Sequence, residues 1–236
     1  MRLTFASYNI HKGVGIDGRR DPERIIAVLR ELRADVIALQ EADRRFGTRE
    51  SVLEKRLLDD TPWQAVPVAR RSRSLGWHGN ALLVRRGIEI LEAEAIDLPT
   101  LEPRGAVRAD LKVDGRAIRV MGMHLDLSGL LRRSQIRQVL GHCAACAEPL
   151  PTVLMGDFNQ WGHVRGAMRE FSGHWAVLPT GDSFPSRRPL APLDRIVVSD
   201  GWQWRSAGAH HSALASVASD HLPVRAELEL MGAGRI

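Results

Sequence analysis

The sequence predicts an α/β protein built from two mixed β-sheets packed face to face, with helices outside. Three observations lead there. Strand-like apolar runs recur along the chain, while only about three helical patterns separate them; a wholly parallel βαβ array would need a helix between nearly every pair of strands. Several runs, among them Val36-Ile37-Ala38-Leu39 and Val153-Leu154-Met155, are continuously apolar and read as buried strands. The last run instead alternates. Val224, Ala226, Leu228 and Leu230 face inward while Arg225, Glu227 and Glu229 face out, the mark of a half-exposed antiparallel strand.

At 236 residues and 44% hydrophobic composition the chain can bury a substantial core, and residues 1–236 are expected to form a single domain. It shows no internal repeat, long linker or low-complexity tract; only Met231 to Ile236 reads as a short Gly-rich tail. The first strand is Leu3 to Ile10. The loop His11-Lys12-Gly13-Val14-Gly15 follows, then a helix with Asp21 as N-cap and Pro22 in its first turn. Ile25, Ile26, Val28, Leu29 and Leu32 form that helix's apolar stripe. A second strand, Asp35 to Asp43, runs into Gln40-Glu41, which puts Glu41 on the face of Ile37 and Leu39. Ser51 to Asp59 reads as a short helix, Trp63 to Ala69 as a strand, and Gly79 to Val84 as another that opens on Asn80. Strands at Ile88 to Ile96 and Arg104 to Val113 come next. Asp114-Gly115 then predicts a tight hairpin into the strand Ile118 to Met123, which ends in His124-Leu125-Asp126. Leu130 to Ala147 is a helix, and Thr152 to Asn159 is the central strand. Alternation places His124 with Asp126, and Asp157 with Asn159, on shared faces. Strands at Trp175 to Leu178 and Leu193 to Ser199 flank the basic loop that carries Arg187 and Arg188.

The ends of these strands are where the chemistry collects: Asn9, Glu41, His124, Asp126, Asp157, Asn159, Asp194, Asp220 and His221. Carboxylates that continue a buried face are costly unless paired, protonated or metal-bound. The set is dominated by oxygen, which suits Mg²⁺ or Mn²⁺ rather than a closed zinc site. Histidines beside carboxylates can be held cationic against a phosphoryl oxygen, and a remaining carboxylate can activate water. Together these parts suit metal-assisted hydrolysis of a phosphate ester. No glycine-rich nucleotide loop and no Gly-x-Ser-x-Gly elbow is present. The net charge of +5, carried mostly by arginine, favours an anionic partner. Cys143 and Cys146 lie inside a helix with no second pair to complete a zinc site. No signal peptide or membrane-length apolar run is visible, so a soluble cytoplasmic protein is expected.

The motifs Ser7-Tyr8-Asn9-Ile10, Leu39-Gln40-Glu41, Gly79-Asn80-Ala81, His124-Leu125-Asp126, Gly156-Asp157-Phe158-Asn159, Leu193-Asp194-Arg195-Ile196 and Ser219-Asp220-His221-Leu222-Pro223 occur in this order across nearly the whole chain. On them the sequence resembles the Mg²⁺-dependent endonuclease/exonuclease/phosphatase superfamily, the DNase I-like hydrolases. The resemblance implies a four-layer α/β sandwich with the site at one edge of the two sheets. It implies Glu41 as chief metal ligand, with Asn9 beside it and Asp220 able to join the metal shell. Asp157 would position or deprotonate the attacking water, with Asn159 orienting the phosphate. His221, held by Asp194, would contact the scissile phosphate, and His124 would bind a phosphoryl oxygen or protonate the leaving group. Asn80 and Asp126 would support the phosphate pocket. The AP endonuclease branch uses a tyrosine motif in mid-chain, and the only tyrosine here is Tyr8. Substrate stays open. The arginines at 70–73, 132–133 and 187–188 suit a nucleic-acid backbone, so DNA or RNA is one reading. A phospholipid or phosphorylated small molecule is the other, supported by the apolar-basic stretch Leu127 to Arg133. A non-catalytic binding protein on the same scaffold is a third, and it would be expected to have lost an acid or a histidine.

Overall fold

A computed structural model describes residues 1–44, 50–100, 104–162 and 166–232. The chain opens with β1 (Arg2–Asn9), α1 (Pro22–Leu32), β2 (Val36–Gln40), α2 (Lys55–Asp59), β3 (Trp63–Ala65) and β4 (Ala81–Arg85). It crosses to a second sheet with β5 (Glu89–Asp97), β6 (Gly105–Val113), β7 (Arg116–His124), α3 (Gly129–Ala145), β8 (Thr152–Asp157), β9 (Trp175–Val177) and β10 (Asp194–Ser199). It then returns to the first with β11 (Trp202–Ala209), the single turn α4 (Ala215–Ala218) and β12 (Val224–Leu230). The two six-stranded sheets have the orders β11-β12-β1-β2-β4-β3 and β5-β6-β7-β8-β10-β9. Each holds one parallel pair, β1 with β2 and β7 with β8, among antiparallel neighbours. The sheets are therefore mixed, as expected, and the molecule is an α/β sandwich.

Strand alternation sorts the apolar residues into three layers. Phe5, Val36, Ala38, Leu82, Val107, Val120, Val153, Met155, Ile196 and Val224 meet between the sheets. The opposite faces of β1 and β2, through Tyr8, Ile37 and Leu39, pack on the Ile25–Leu32 stripe of α1. Met121 and Leu154 carry Ile136 and Val139 of α3 on the far side. Each large side chain so buried contributes roughly 1.5–3 kcal/mol before the cost of ordering it. Asp21 caps α1, its side chain accepting the Arg24 N–H at 2.9 Å. Asp114 and Gly115 both take positive φ, 49° and 76°, which the tight β6–β7 turn requires.

Local departures have local causes. The short helix expected from Ser51 begins only at Lys55, because Ser51 is held in an isolated antiparallel bridge to Asp43. The strand expected through Ala69 stops at Ala65. The tail residues 233–236 lie outside the described residues. Two expectations about shared faces fail for one reason. β2 ends at Gln40 and β8 at Asp157, and the backbone then turns left-handed at Glu41 (φ 54°) and Asn159 (φ 51°). Neither side chain follows the alternation of its strand.

Candidate active site

The second sheet sets the first row of the site. In register, His124 of β7 sits opposite Asp157 of β8, which sits opposite Asp194 of β10. All three lie on faces whose neighbouring members are inter-sheet core: Val120 before His124, Met155 before Asp157, and Ile196 after Asp194, which opens β10. Asn9 does the same from the first sheet, two residues beyond Ser7 and four beyond Phe5. Polar groups from both sheets thus meet at one edge of the sandwich, and each of these four is under 10% exposed.

They converge on Asp157 Oδ2. The Asn9 amide Nδ2 donates to it at 3.0 Å, His124 Nε2 lies at 3.3 Å and His221 Nε2 at 3.9 Å. The other oxygen accepts the Asn159 backbone N–H at 2.9 Å, an Asx turn that closes the strand end. His221 Nδ1 is 2.7 Å from Asp194 Oδ2, and the Ser183 hydroxyl donates to the same oxygen at 2.6 Å. Ser219 builds the frame for His221: its hydroxyl donates to Asn9 O at 2.7 Å and accepts the His221 N–H at 3.3 Å. Phe184 covers the imidazole, ring centroids 4.9 Å apart.

The electrostatics follow from this crowding. Burial alone would raise the Asp157 carboxyl, but the rings of His124 and His221 and the Asn159 N–H drive it well below the usual aspartate range. Burial alone would lower His221; Asp194, then Asp157 and Asp220, override it and push the ring up to about 10. Burial pushes Asp194 up against the pull of His221, so this pair holds its shared proton tightly. Glu41 stands at the mouth, paired with the Lys12 ammonium. Burial would raise it, yet His124, Lys12 and His11 bring it below the ordinary glutamate range.

Asp220, at the mouth, lies with Oδ1 3.8 Å from His11 Nδ1. Asn159 turns its amide to Leu125 O at 2.8 Å instead of sharing a face with Asp157. Asn80 is buried beside the Glu41 turn, donating to Gly105 O at 3.1 Å, while its Oδ1 has no partner among the described residues. Asp126 is not brought into the cluster: its carboxylate accepts the Ser128 N–H and the Thr100 hydroxyl and so shapes the start of α3. Arg187 and Arg188 are exposed on the loop beyond Phe184. Ser183, Phe184 and Lys12 are the residues that sequence reasoning left without a role. Only their place in basic or Pro-bounded loops between motifs marked them.

The donor chemistry fits a hard divalent cation. Ligand atoms of Asp157, Asp194 and His221 lie within 4.8 Å of one another, but His221 Nδ1 and Asp194 Oδ2 already face each other at 2.7 Å. Glu41 offers a carboxylate that already accepts a cationic group, the Lys12 ammonium.

Comparison with known proteins agrees with this architecture. The sequence profile described as Endonuclease/Exonuclease/phosphatase family matches residues 6–221. The uncharacterized protein YbhP of Escherichia coli strain K12 is 30% identical over 244 residues, covering 94% of each chain. A mannosyl-6-phosphatase of Bacteroides thetaiotaomicron superposes with a TM-score of 0.77 at 19% identity, covering 97% of this chain and 100% of that one. Humanized D. rerio TDP2 gives 0.76 at 16%, over 97% and 99%. The human Nocturnin catalytic domain, solved with a bound sulfate anion, gives 0.72 at 20%, over 98% and 95%.

Proposed function

The chain belongs to the endonuclease/exonuclease/phosphatase family, and from that premise we propose that it is a Mg²⁺- or Mn²⁺-dependent phosphodiester hydrolase. The observation that carries this reading is the convergence of Asn9, His124 and His221 on one oxygen of a buried, strongly acidic Asp157. Such a group can hold a water by one oxygen while the imidazoles meet the negative phosphoryl oxygens.

Glu41, with Asn9 and Asp220, would hold the metal, which when bound supplies charge neutralisation at the phosphate. The buried Asp157, Asp194 and His221 are better read as a proton network than as the ligand set. His221 is spent on Asp194, and a protonated ring cannot ligate. Asp157 orients the attacking water. Its strong acidity makes it a weak base, so it receives the water's proton only as the new P–O bond acidifies that water. His221, fixed by Asp194 and Ser183, binds a phosphoryl oxygen. His124 protonates the departing alcohol oxygen as the ester P–O bond breaks. Asn159 and Asn80 shape the phosphate pocket, and Arg187 and Arg188 attract the anionic substrate. Unpaired cysteines suit a cytoplasmic setting.

The test is hydrolysis of bis(p-nitrophenyl) phosphate and of the p-nitrophenyl monoester, with and without Mg²⁺ or Mn²⁺. Diester cleavage is expected, dependent on metal, and reduced by about 10²–10⁴ in His221→Ala and Asp157→Asn. Monoester cleavage alone would replace the diesterase reading with a phosphatase; full activity in Asp157→Asn or Glu41→Gln would remove the roles given to those residues.

A further inference from the structure

The site mouth is edged by an arc that hydrolysis of a soluble ester does not need. Among the described residues eight large hydrophobics are exposed, and four lie on this arc: Leu130 (82%), Leu190 (70%), Leu127 (67%) and Trp161 (64%). Contacts tie Leu127, Trp161 and Leu190 together, and Leu130 stands three residues beyond Leu127. The Arg132 guanidinium donates to Leu127 O at 2.6 Å and to Gln160 Oε1 at 3.2 Å, beside Trp161. The Trp161 ring stands edge-on to Phe184 at 6.1 Å, and Phe184 O accepts the Leu190 N–H at 2.8 Å. Phe184 in turn covers His221. Leu127 and Leu130, at the start of α3, lie outside the stripe that α3 buries, Ile136 and Val139. They add nothing to the core.

Scattered exposed leucines are ordinary on a protein surface; a contiguous set beside a catalytic cleft is not. Its charge is as telling. The arc carries Arg132, Arg133, Arg187 and Arg188 within three residues of its leucines in sequence. Arg133 is paired with Glu170 at 3.1 Å, whereas among the described residues no carboxylate pairs with exposed Arg187 or Arg188. Apolar tips flanked by arginines, with Arg187 and Arg188 unpaired among the described residues, complement an anionic lipid surface, where leucine and tryptophan enter the headgroup–acyl boundary and arginines meet phosphate. Single-stranded nucleic acid would instead be met by several exposed aromatic platforms, and of the arc's two rings only Trp161 is exposed, Phe184 being half-buried over His221.

We propose that this arc docks the protein on an anionic phospholipid bilayer, so that the site faces phosphate esters presented at the membrane surface. The docking stands on the arc alone; that the ester is then hydrolysed rests on the function proposed above. The full chain is mixed with phosphatidylcholine vesicles containing or lacking phosphatidylglycerol, and co-sedimentation is measured at low and high salt. Binding is expected only with phosphatidylglycerol. It should weaken with salt, and fall about tenfold or more in Leu127→Glu/Leu130→Glu. Trp161 emission should shift blue on binding, a change missing in Trp161→Phe. Bis(p-nitrophenyl) phosphate cleavage by the double variant should equal wild type, which also certifies its fold. Absence of vesicle binding, with soluble diester cleavage intact, would overturn the docking and leave the hydrolase. Binding without any diester cleavage would do the reverse. Binding to an oligonucleotide in place of vesicles, lost in the same double variant, would also overturn the proposal and assign the arc to nucleic acid.

Discussion

His221 and Asp157 are driven in opposite directions by the same neighbourhood, and the sign of each shift fixes how it acts on stability. His221 titrates near 10 in the folded protein, above the ordinary 6.5 of an unfolded chain. A raised base favours the fold when protonated, so its contribution is full below pH 6.5 and is lost as pH rises through 10. Asp157, depressed, contributes above the ordinary aspartate range and loses that contribution in acid. Urea denaturation of the metal-free protein between pH 6 and 10 should therefore show the gap between wild type and His221→Gln narrowing as pH rises. A gap independent of pH would deny the ion pair with Asp194.

At the scale of the element, the strand end is the unit of design. Gly156 follows Met155 on β8 and passes so close to β7 that a Cβ there would lie 1.9 Å from Met123 O. Gly156→Ala must separate the two parallel strands whose register places His124 beside Asp157. A loss of about 1–3 kcal/mol in chemical denaturation is expected, with a disproportionate loss of activity. Gly141→Ala, in open space on α3, is the control and should stabilise by about 0.5–1 kcal/mol. This scale also shows what the amino-acid order reveals. Asn9, His124 and Asp157 were legible because each continues an alternating face whose earlier members are core, and Asp194 because it opens a strand whose next members on that face, Ile196 and Val198, are core. Glu41 and Asn159 were named from their motifs, but their directions were misread, since one left-handed residue cancels the period-two rule. Ser183, Phe184 and Lys12 reach the site only through the docking of loops on distant strands, and no local pattern announces that. The family resemblance named the candidate residues; the bonds among them came from the fold.

For the whole molecule, the site is an instrument for reading how the sheets sit together. Asn9 and Glu41 come from the first sheet, His124, Asp157 and Asp194 from the second, and the Asn9–Asp157 bond spans them. Hydrolytic activity and tertiary structure should therefore vanish at the same urea concentration, followed by diester cleavage and near-ultraviolet circular dichroism. Activity outlasting the dichroism would mean that one sheet alone suffices. The pairing of β1 with β12 carries this from space into time. Arg2 lies against Glu229 and Ser7 against Val224, so the middle of the first sheet joins the beginning of the chain to its last described strand. Such distant pairing is slow to form. A chain still being made holds Asn9 and Glu41 in a sheet with an open edge, and His221 immediately precedes the strand that would close it. A ribosome that has not yet made His221 and β12 carries only part of the candidate site, so on the proposed function a nascent fragment has nothing with which to attack its surroundings.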